Sequence, residues 1–149
     1  MAVIILMDII ISVVNYLESR YLDNSNIDNY TPTYFHTLKV PEISIFSYLI
    51  RLKSFCKLSD TCLVSSLIYI DRLRAIANKH TIHRLILTAV LLSSKFLEDA
   101  SLVNSVCAEV GGVHKTELNI LETQFLYLLN YSLYISESEF NDYLTKISP

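Results

Sequence analysis

The chain has 149 residues, of which 52% are hydrophobic and only 18% charged, enough apolar material for one compact core and the wrong balance for disorder over most of its length. Two glycines and three prolines are too few for the turns of a β-sandwich or barrel, so the composition calls for helices. A formal net charge of −3 gives no general attraction to nucleic acid or to acidic membranes.

The run from Val3 to Val14 is very apolar. Asp8 interrupts it and it is too short to span a bilayer, and it lacks the basic start and small-residue cleavage site of a signal peptide. Asp8, Ser12, Asn15 and Ser19 recur at helical spacing, one narrow polar stripe on an otherwise apolar helix, so residues 1–22 are expected to form a packing helix, against this domain or a partner. Residues 23–40, with Asn24, Ser25, Asn26, Asp28, Asn29 and Pro32, predict an irregular connection. Residues 41–149 are then expected to hold the main domain and a terminal helix.

Pro41 suits the first position of a helix, with Ile43, Phe46 and Ile50, widened by Ile45 and Leu49, as its apolar side and an end near Lys57. Ser59 or Asp60 can cap the next helix, whose stripe is Leu63, Leu67, Ile70 and Leu73. Thr81 is placed to cap a third helix carrying Leu85, Ala89, Leu92 and Phe96, apolar almost all round through Ile86, Leu87, Val90 and Leu91; it should be the central helix. A short helix is expected from Asn104 to Val110, ended by Gly111 and Gly112. A fifth should run from Lys115 to Tyr131 with Leu118, Leu121, Phe125, Leu128 and Leu129 inside. Ser136 and Glu139 match a capping box, with Ile135 able to staple onto Phe140, and a last helix should follow to Ile147. The fold expected is all-α: five core helices with one more at each end.

Charge is unevenly placed. Residues 51–95 carry Arg51, Lys53, Lys57, Arg72, Arg74, Lys79, Arg84 and Lys95 against Asp60 and Asp71, and the balance reverses from Glu98 onward. Such a bipolar chain either steers a charged partner or has two solvated faces of opposite sign. Cys56, Cys62 and Cys107 lack the paired spacing of a zinc or redox site. They are expected to be buried free thiols of a reducing compartment, which implies a location in the cytoplasm or nucleus.

Catalytic chemistry is poorly supplied. His80 and His83 are the one close histidine pair, and an exposed helix-start cluster explains them better than a metal site. No serine sits in a nucleophile elbow and no glycine-rich phosphate loop occurs; the sequence therefore predicts no enzyme, no metal and no cofactor. Basic residues near Tyr48 and Tyr69 form no recognised nucleic-acid motif. What stands out is charge inside apolar helices: Asp71 and Arg72 after Tyr69-Ile70, Lys95 after Ser93-Ser94, and Glu122 among Leu121, Phe125 and Leu126. Charges so placed are costly unless paired or used at an interface, and spacing leaves a plain Lys95–Glu122 ion pair and an interface equally open.

The same residues carry a resemblance. YIDRL at 69–73, HRLILTAVLLSSKFLED at 83–99 and AEVGGVHKTELNILETQFLYLLNY at 108–131 look like the cyclin box. They are most similar to the P-type or U-type cyclins, the group related to the fungal cyclin of phosphate signalling, over residues 41–145. The resemblance implies a regulatory subunit forming a heterodimer with a cyclin-dependent protein kinase and activating it, in the cell cycle or in nutrient and phosphate signalling. The alternative it leaves is a cyclin-fold adaptor for transcription or nucleic-acid complexes without a kinase.

On the family pattern Lys95 and Glu122 match the main polar contacts to the kinase. Phe96 and Leu97 match apolar contacts to its regulatory helix, and Leu126, Leu129, Tyr131 and Leu133 match the apolar surface after the glutamate. Asp71 matches the structural aspartate of the second box helix. The chain departs from the cell-cycle cyclins where their first helix supplies an arginine partner to that aspartate, because Glu42 stands there. Arg51 is the candidate replacement, and the substrate-docking patch of mitotic cyclins is not expected. A single cyclin box is implied, with neither nucleic acid nor a membrane as partner.

Overall fold

Two helices that are buried on nearly every side organise the molecule, and the remaining elements wrap around them. A computed structural model describes residues 2–22 and 33–148, with side chains from Ile9 onward. Among these residues there are seven α-helices, one 3-10 turn and no strand: α1 (Ala2–Tyr21), α2 (Ile45–Cys56), α3 (Asp60–Arg72), the turn Arg74–Ile76, α4 (Ile82–Leu97), α5 (Asn104–Gly111), α6 (Lys115–Leu128) and α7 (Glu137–Ile147). The all-α fold of five central helices flanked by one at each end is the one expected. The polar residues from Asn24 to Pro32 and the side chain of Asp8 lie outside the described residues.

The pair at the centre is α3 and α4. Burial of α4 runs through Ile82 and His83 and from Leu85 to Ser94, as its apolar sequence requires. The surprise is α3, buried from Cys62 to Asp71 although Ser65 and Ser66 make it look two-faced. Those serines are small enough for close helix approach, and the Ser66 hydroxyl is absorbed: it donates to the Cys62 carbonyl at 2.7 Å and lies 3.0 Å from Ser93 Oγ on α4. Short polar side chains satisfied within the core do not force a helix to face water.

Local signals set most boundaries. Ser44 caps α2 by accepting from the Ser47 N–H at 3.1 Å, and Ser59 caps α3 from the Cys62 N–H at 3.1 Å. Helix α2 thus begins four residues, about one turn, later than a start at Pro41: Pro41 precedes the cap and stands outside the helix. Its buried face is Ile45, Tyr48, Leu49 and Leu52, and Phe46 is exposed, so the stripe through Phe46 and Ile50 is corrected by about one position. Tyr48 selects that face because its hydroxyl reaches the Gly111 carbonyl at 2.9 Å. Gly112 closes α5 with φ +75°. Gly111 lets α5 lie on α4, since a Cβ there would stand 2.4 Å from Leu87 Cδ1.

From Ile9 onward α1 buries Ile10, Val13, Val14, Leu17 and Tyr21 and touches α2, α3 and α7; this part packs on its own domain. Ahead of α2, the segment from Thr33 is pinned rather than loose. Phe35 is fully buried, edge-to-face on Phe125 with centroids 5.8 Å apart, a burial that contributes about 2 kcal/mol. His80 is central to the same anchorage: its ring stacks on His36 at 5.2 Å, its Nδ1 meets the Thr37 carbonyl at 3.1 Å, and its carbonyl receives the Thr37 N–H at 3.0 Å. His83 is buried, its Nε2 2.7 Å from the Ile43 carbonyl and its ring against Tyr48. The expected exposed histidine cluster is therefore corrected: both rings fasten the entry to α2.

Candidate functional site

Lys95, the last polar residue before α4 ends, and Glu122, mid-way along α6, meet at the surface. Lys95 Nζ lies 2.8 Å from Glu122 Oε2, with side chains 37% and 18% exposed. The ion pair is thus real and is also reachable from solvent. Helix α5 adds a third member that the sequence reading passed over as a mere helix start. Asn104 Nδ2 donates to Glu122 Oε1 at 3.1 Å and to Asn119 Oδ1 at 2.7 Å. Its only prior signal was a polar residue at the head of a short helix. Glu122 consequently has a separate partner on each oxygen, from two different helices.

Exposed apolar side chains neighbour the trio along the chain, Phe96 and Leu97 after Lys95 and Val103 before Asn104. Phe96 is 49% exposed, Leu97 and Val103 are also exposed, and Tyr131 stands 66% exposed beyond the end of α6. Leu126 and Leu133 are half-buried against the core. Leu129 is only 5% exposed and belongs to the interior, so its expected place on the surface is corrected. Leu128 is the reverse case, expected inside and found exposed, because α6 ends there and the chain turns through Asn130 (φ 55°) and Tyr131 (φ 58°).

That turn holds two consecutive left-handed residues, a conformation costing about 1 kcal/mol or more for each L side chain. It is clamped from α3. Arg72 donates to the Ser132 carbonyl at 2.8 Å and the Tyr134 carbonyl at 3.0 Å while pairing with Glu139 at 2.7 Å, and Tyr69 Oη donates to the Leu133 carbonyl at 2.7 Å. The second charge of the YIDRL run thus has a structural task, fixing the segment that carries Tyr131 and Leu133. Glu139 is drawn to Arg72, so the capping box is half-formed: Ser136 Oγ accepts the Glu139 N–H at 3.0 Å, and the glutamate does not return to cap.

Asp71 is 4% exposed and is solvated by hydroxyls. Tyr16 and Tyr143 donate to its Oδ2 and Tyr21 to its Oδ1, with Arg20 Nε at 4.0 Å. Burial, then the bond to Asp71, pushes Tyr16 up to about 12 and moves Tyr21 and Tyr143 higher still. Arg51, the candidate partner from sequence, is exposed on α2 and is not among these contacts; α1 and α7 supply the replacement.

The uneven charge of the sequence resolves in the same way. Arg72–Glu139, Arg84–Glu117 (2.5 Å) and Lys95–Glu122 join the basic middle of the chain to its acidic end. The two blocks are interhelix partners more than opposed faces. Cys62 and Cys107 are buried and Cys56 half-buried, all as free thiols, and burial pushes Cys62 up to about 12. Among the described residues no cluster of three or more metal-ligating side chains occurs and no helix is long and apolar enough to cross a membrane.

Compared with known proteins, residues 8–133 match the cyclin family model. The chain belongs to the cyclin family. The match begins inside α1, earlier than residue 41 where the motif resemblance starts. Cyclin-U4-3 of Arabidopsis thaliana is 35% identical over 145 residues, covering 93% of this chain and 66% of that cyclin. The PHO85 cyclin PHO80 of Saccharomyces cerevisiae is 38% identical over 136 residues, with 88% and 46% covered. PHO85 cyclin-7 of the same yeast is 34% identical over 125 residues, with 73% and 44% covered. The chain therefore spans from under half to about two thirds of the length of these curated relatives. It is a cyclin related to the plant U-type and yeast PHO85 cyclins. Cyclins are non-catalytic kinase regulators, and the expectation that this chain is no enzyme rests on that membership.

Proposed function

We propose that this cyclin binds a cyclin-dependent protein kinase and activates it, with Lys95 and Glu122 as the polar centre of the contact. The observation that carries this reading is a solvent-reachable Lys95–Glu122 pair followed along α4 by exposed Phe96 and Leu97, with half-buried Leu126 and Leu133 and exposed Tyr131 further along the chain from Glu122. Lys95 spends one N–H on Glu122 and keeps two to offer. A kinase is active only when its N-lobe lysine pairs with a glutamate on a mobile helix. A rigid body packed on that helix holds it inward and shifts the population to the active state. Signalling interfaces of this kind bury about 2,000 Å² or more. The names of the yeast relatives, as cyclins of PHO85, support a kinase of that type as partner, in the cytoplasm or nucleus.

The adaptor reading, with nucleic acid as partner, is less well supported. Arg72, Arg84 and Lys95 are already paired with carboxylates, which leaves little basic surface to neutralise phosphates. Affinity capture from the source cells, followed by mass spectrometry and a kinase assay, tests the proposal. The wild-type chain is expected to retain a cyclin-dependent kinase and raise its activity, and Lys95→Ala or Glu122→Ala to weaken capture at least tenfold while remaining folded. Capture of no kinase, or equal capture by both variants, overturns it.

A further inference from the structure

We infer that Asn104 is a positioning residue for Glu122, and through it part of the partner-binding site; the second half of this claim rests on the kinase-binding reading above. Glu122 sits on α6 with a flexible side chain, and Lys95 holds only one of its carboxylate oxygens. A single flexible lysine fixes a distance but not the rotation of the carboxylate about its own axis. Asn104 supplies the second anchor, on Oε1, from a third helix. Two anchors on two oxygens define the plane of the group.

The amide's orientation follows from its partners. A carboxylate only accepts hydrogen bonds, so the NH₂ side of Asn104 must face Glu122. The second N–H is spent on Asn119 Oδ1, one turn back along α6, so Asn104 is itself held in place. Both donors being used internally, the residue turns its carbonyl oxygen to the outside as an acceptor. Asn104 is half-buried at the first position of α5, and among the described residues its side chain makes no other hydrogen bond that would explain it as a cap. The trio thus shows solvent two spare N–H groups on Lys95 and acceptors on Glu122 and Asn104. The chemistry that fits is a stretch of main chain offering both a free C=O and a free N–H. Ordering Glu122 before contact lowers the entropy cost of binding, which acts chiefly on the dissociation rate.

The test compares Asn104→Ala, Asn104→Asp, Lys95→Ala and Glu122→Ala with the wild type. It uses calorimetric titration against the recombinant kinase that the wild-type chain captures, together with a crystal structure of the free Asn104→Ala chain. Asn104→Ala is expected to weaken binding about tenfold, the usual worth of one hydrogen bond to a charged group, with the unfolding midpoint little changed. In the crystal structure Glu122 should leave its place beside Lys95 or occupy several rotamers. Asn104→Asp sets a second carboxylate against Glu122. It should bind more weakly than Asn104→Ala at pH 8 and recover towards wild type as pH falls to 5, where the new carboxyl takes up a proton and donates it. Asn104→Ala should show no such recovery, and a merely structural role would produce none in either variant. An unmoved Glu122 in the Asn104→Ala crystal, or wild-type binding by both Asn104 variants alongside weak binding by Glu122→Ala, overturns the inference and leaves the kinase reading standing. Wild-type binding by Lys95→Ala and Glu122→Ala overturns the kinase reading instead.

Discussion

Replacing Asp71 by alanine tests the part of the fold in which α1, α3 and α7 meet. The carboxylate is 4% exposed and receives the hydroxyls of Tyr16, Tyr21 and Tyr143. Hydrogen bonds to a charged group are worth about 1.5–3 kcal/mol each, a gross gain of roughly 5–9 kcal/mol for three. Taking one carboxylate out of water costs several kcal/mol in return. In Asp71→Ala both terms vanish and three hydroxyls lose their acceptor. Tyr21 is buried and its orphaned hydroxyl carries a penalty of about 1–3 kcal/mol, whereas Tyr16 and Tyr143 are half-exposed and find water. The expected net loss is about 3 kcal/mol, which for a chain of 149 residues lowers Tm by roughly 6–12 °C. Urea unfolding followed by circular dichroism measures it, with Tyr21→Phe and the double variant completing a cycle. The double variant should be less destabilised than the sum of the singles by at least about 1 kcal/mol, because Tyr21→Phe removes the group that Asp71→Ala leaves stranded. A midpoint for Asp71→Ala equal to wild type, or strict additivity in the cycle, would refute the reasoning.

Gly111→Ala should destabilise the protein although alanine is the better helix former by about 1 kcal/mol. The added Cβ would lie 2.4–3.0 Å from three Leu87 side-chain atoms, an overpacking cost of roughly 1–3 kcal/mol; thermal denaturation should show the loss, and shortening Leu87 to alanine in the same chain should not add its full cost to it. At high pH the three tyrosines that donate to Asp71 make stability fall. Their pKa values are raised, Tyr16 to about 12, so the folded state keeps protons that the unfolded chain gives up above about pH 10. The contribution is whole below pH 10 and decays as pH rises towards 12, and Asp71→Ala should flatten that decline in a series of urea midpoints. At low pH His83 acts with the opposite sign. Burial holds it below its ordinary 6.5, so the folded state refuses a proton that the unfolded chain accepts, and stability falls as pH drops below about 6.5. His83→Gln should reduce that slope between pH 6.5 and 5.

The sequence by itself determined what depends on local chemistry. The caps at Ser59 and Ser136, the stop at Gly112 and the all-round apolarity of α4 are written in adjacent residues, and each setting is decided within a turn or two of helix. The motif run from Lys95 to Glu122 was legible for a similar reason: charge inside an apolar helix is rare enough to mark a partner even when the partner is unnamed. The tertiary structure alone decided which partner. Asp71 accepts from Tyr16 and Tyr21, about fifty positions earlier in the chain, and from Tyr143, 72 later, while Arg51 nearby stays exposed. Arg72 reaches 60 positions to Ser132, and Asn104 completes Glu122 only because α5 and α6 fold against each other. The rotation of α2, which buries Tyr48 and exposes Phe46, was equally beyond reach, since both sides of that helix are apolar. The physical reason is common to all of these. A polar group in an apolar setting must be satisfied, but which donor arrives is fixed by helix packing at long range, and helix packing is not written in any one segment.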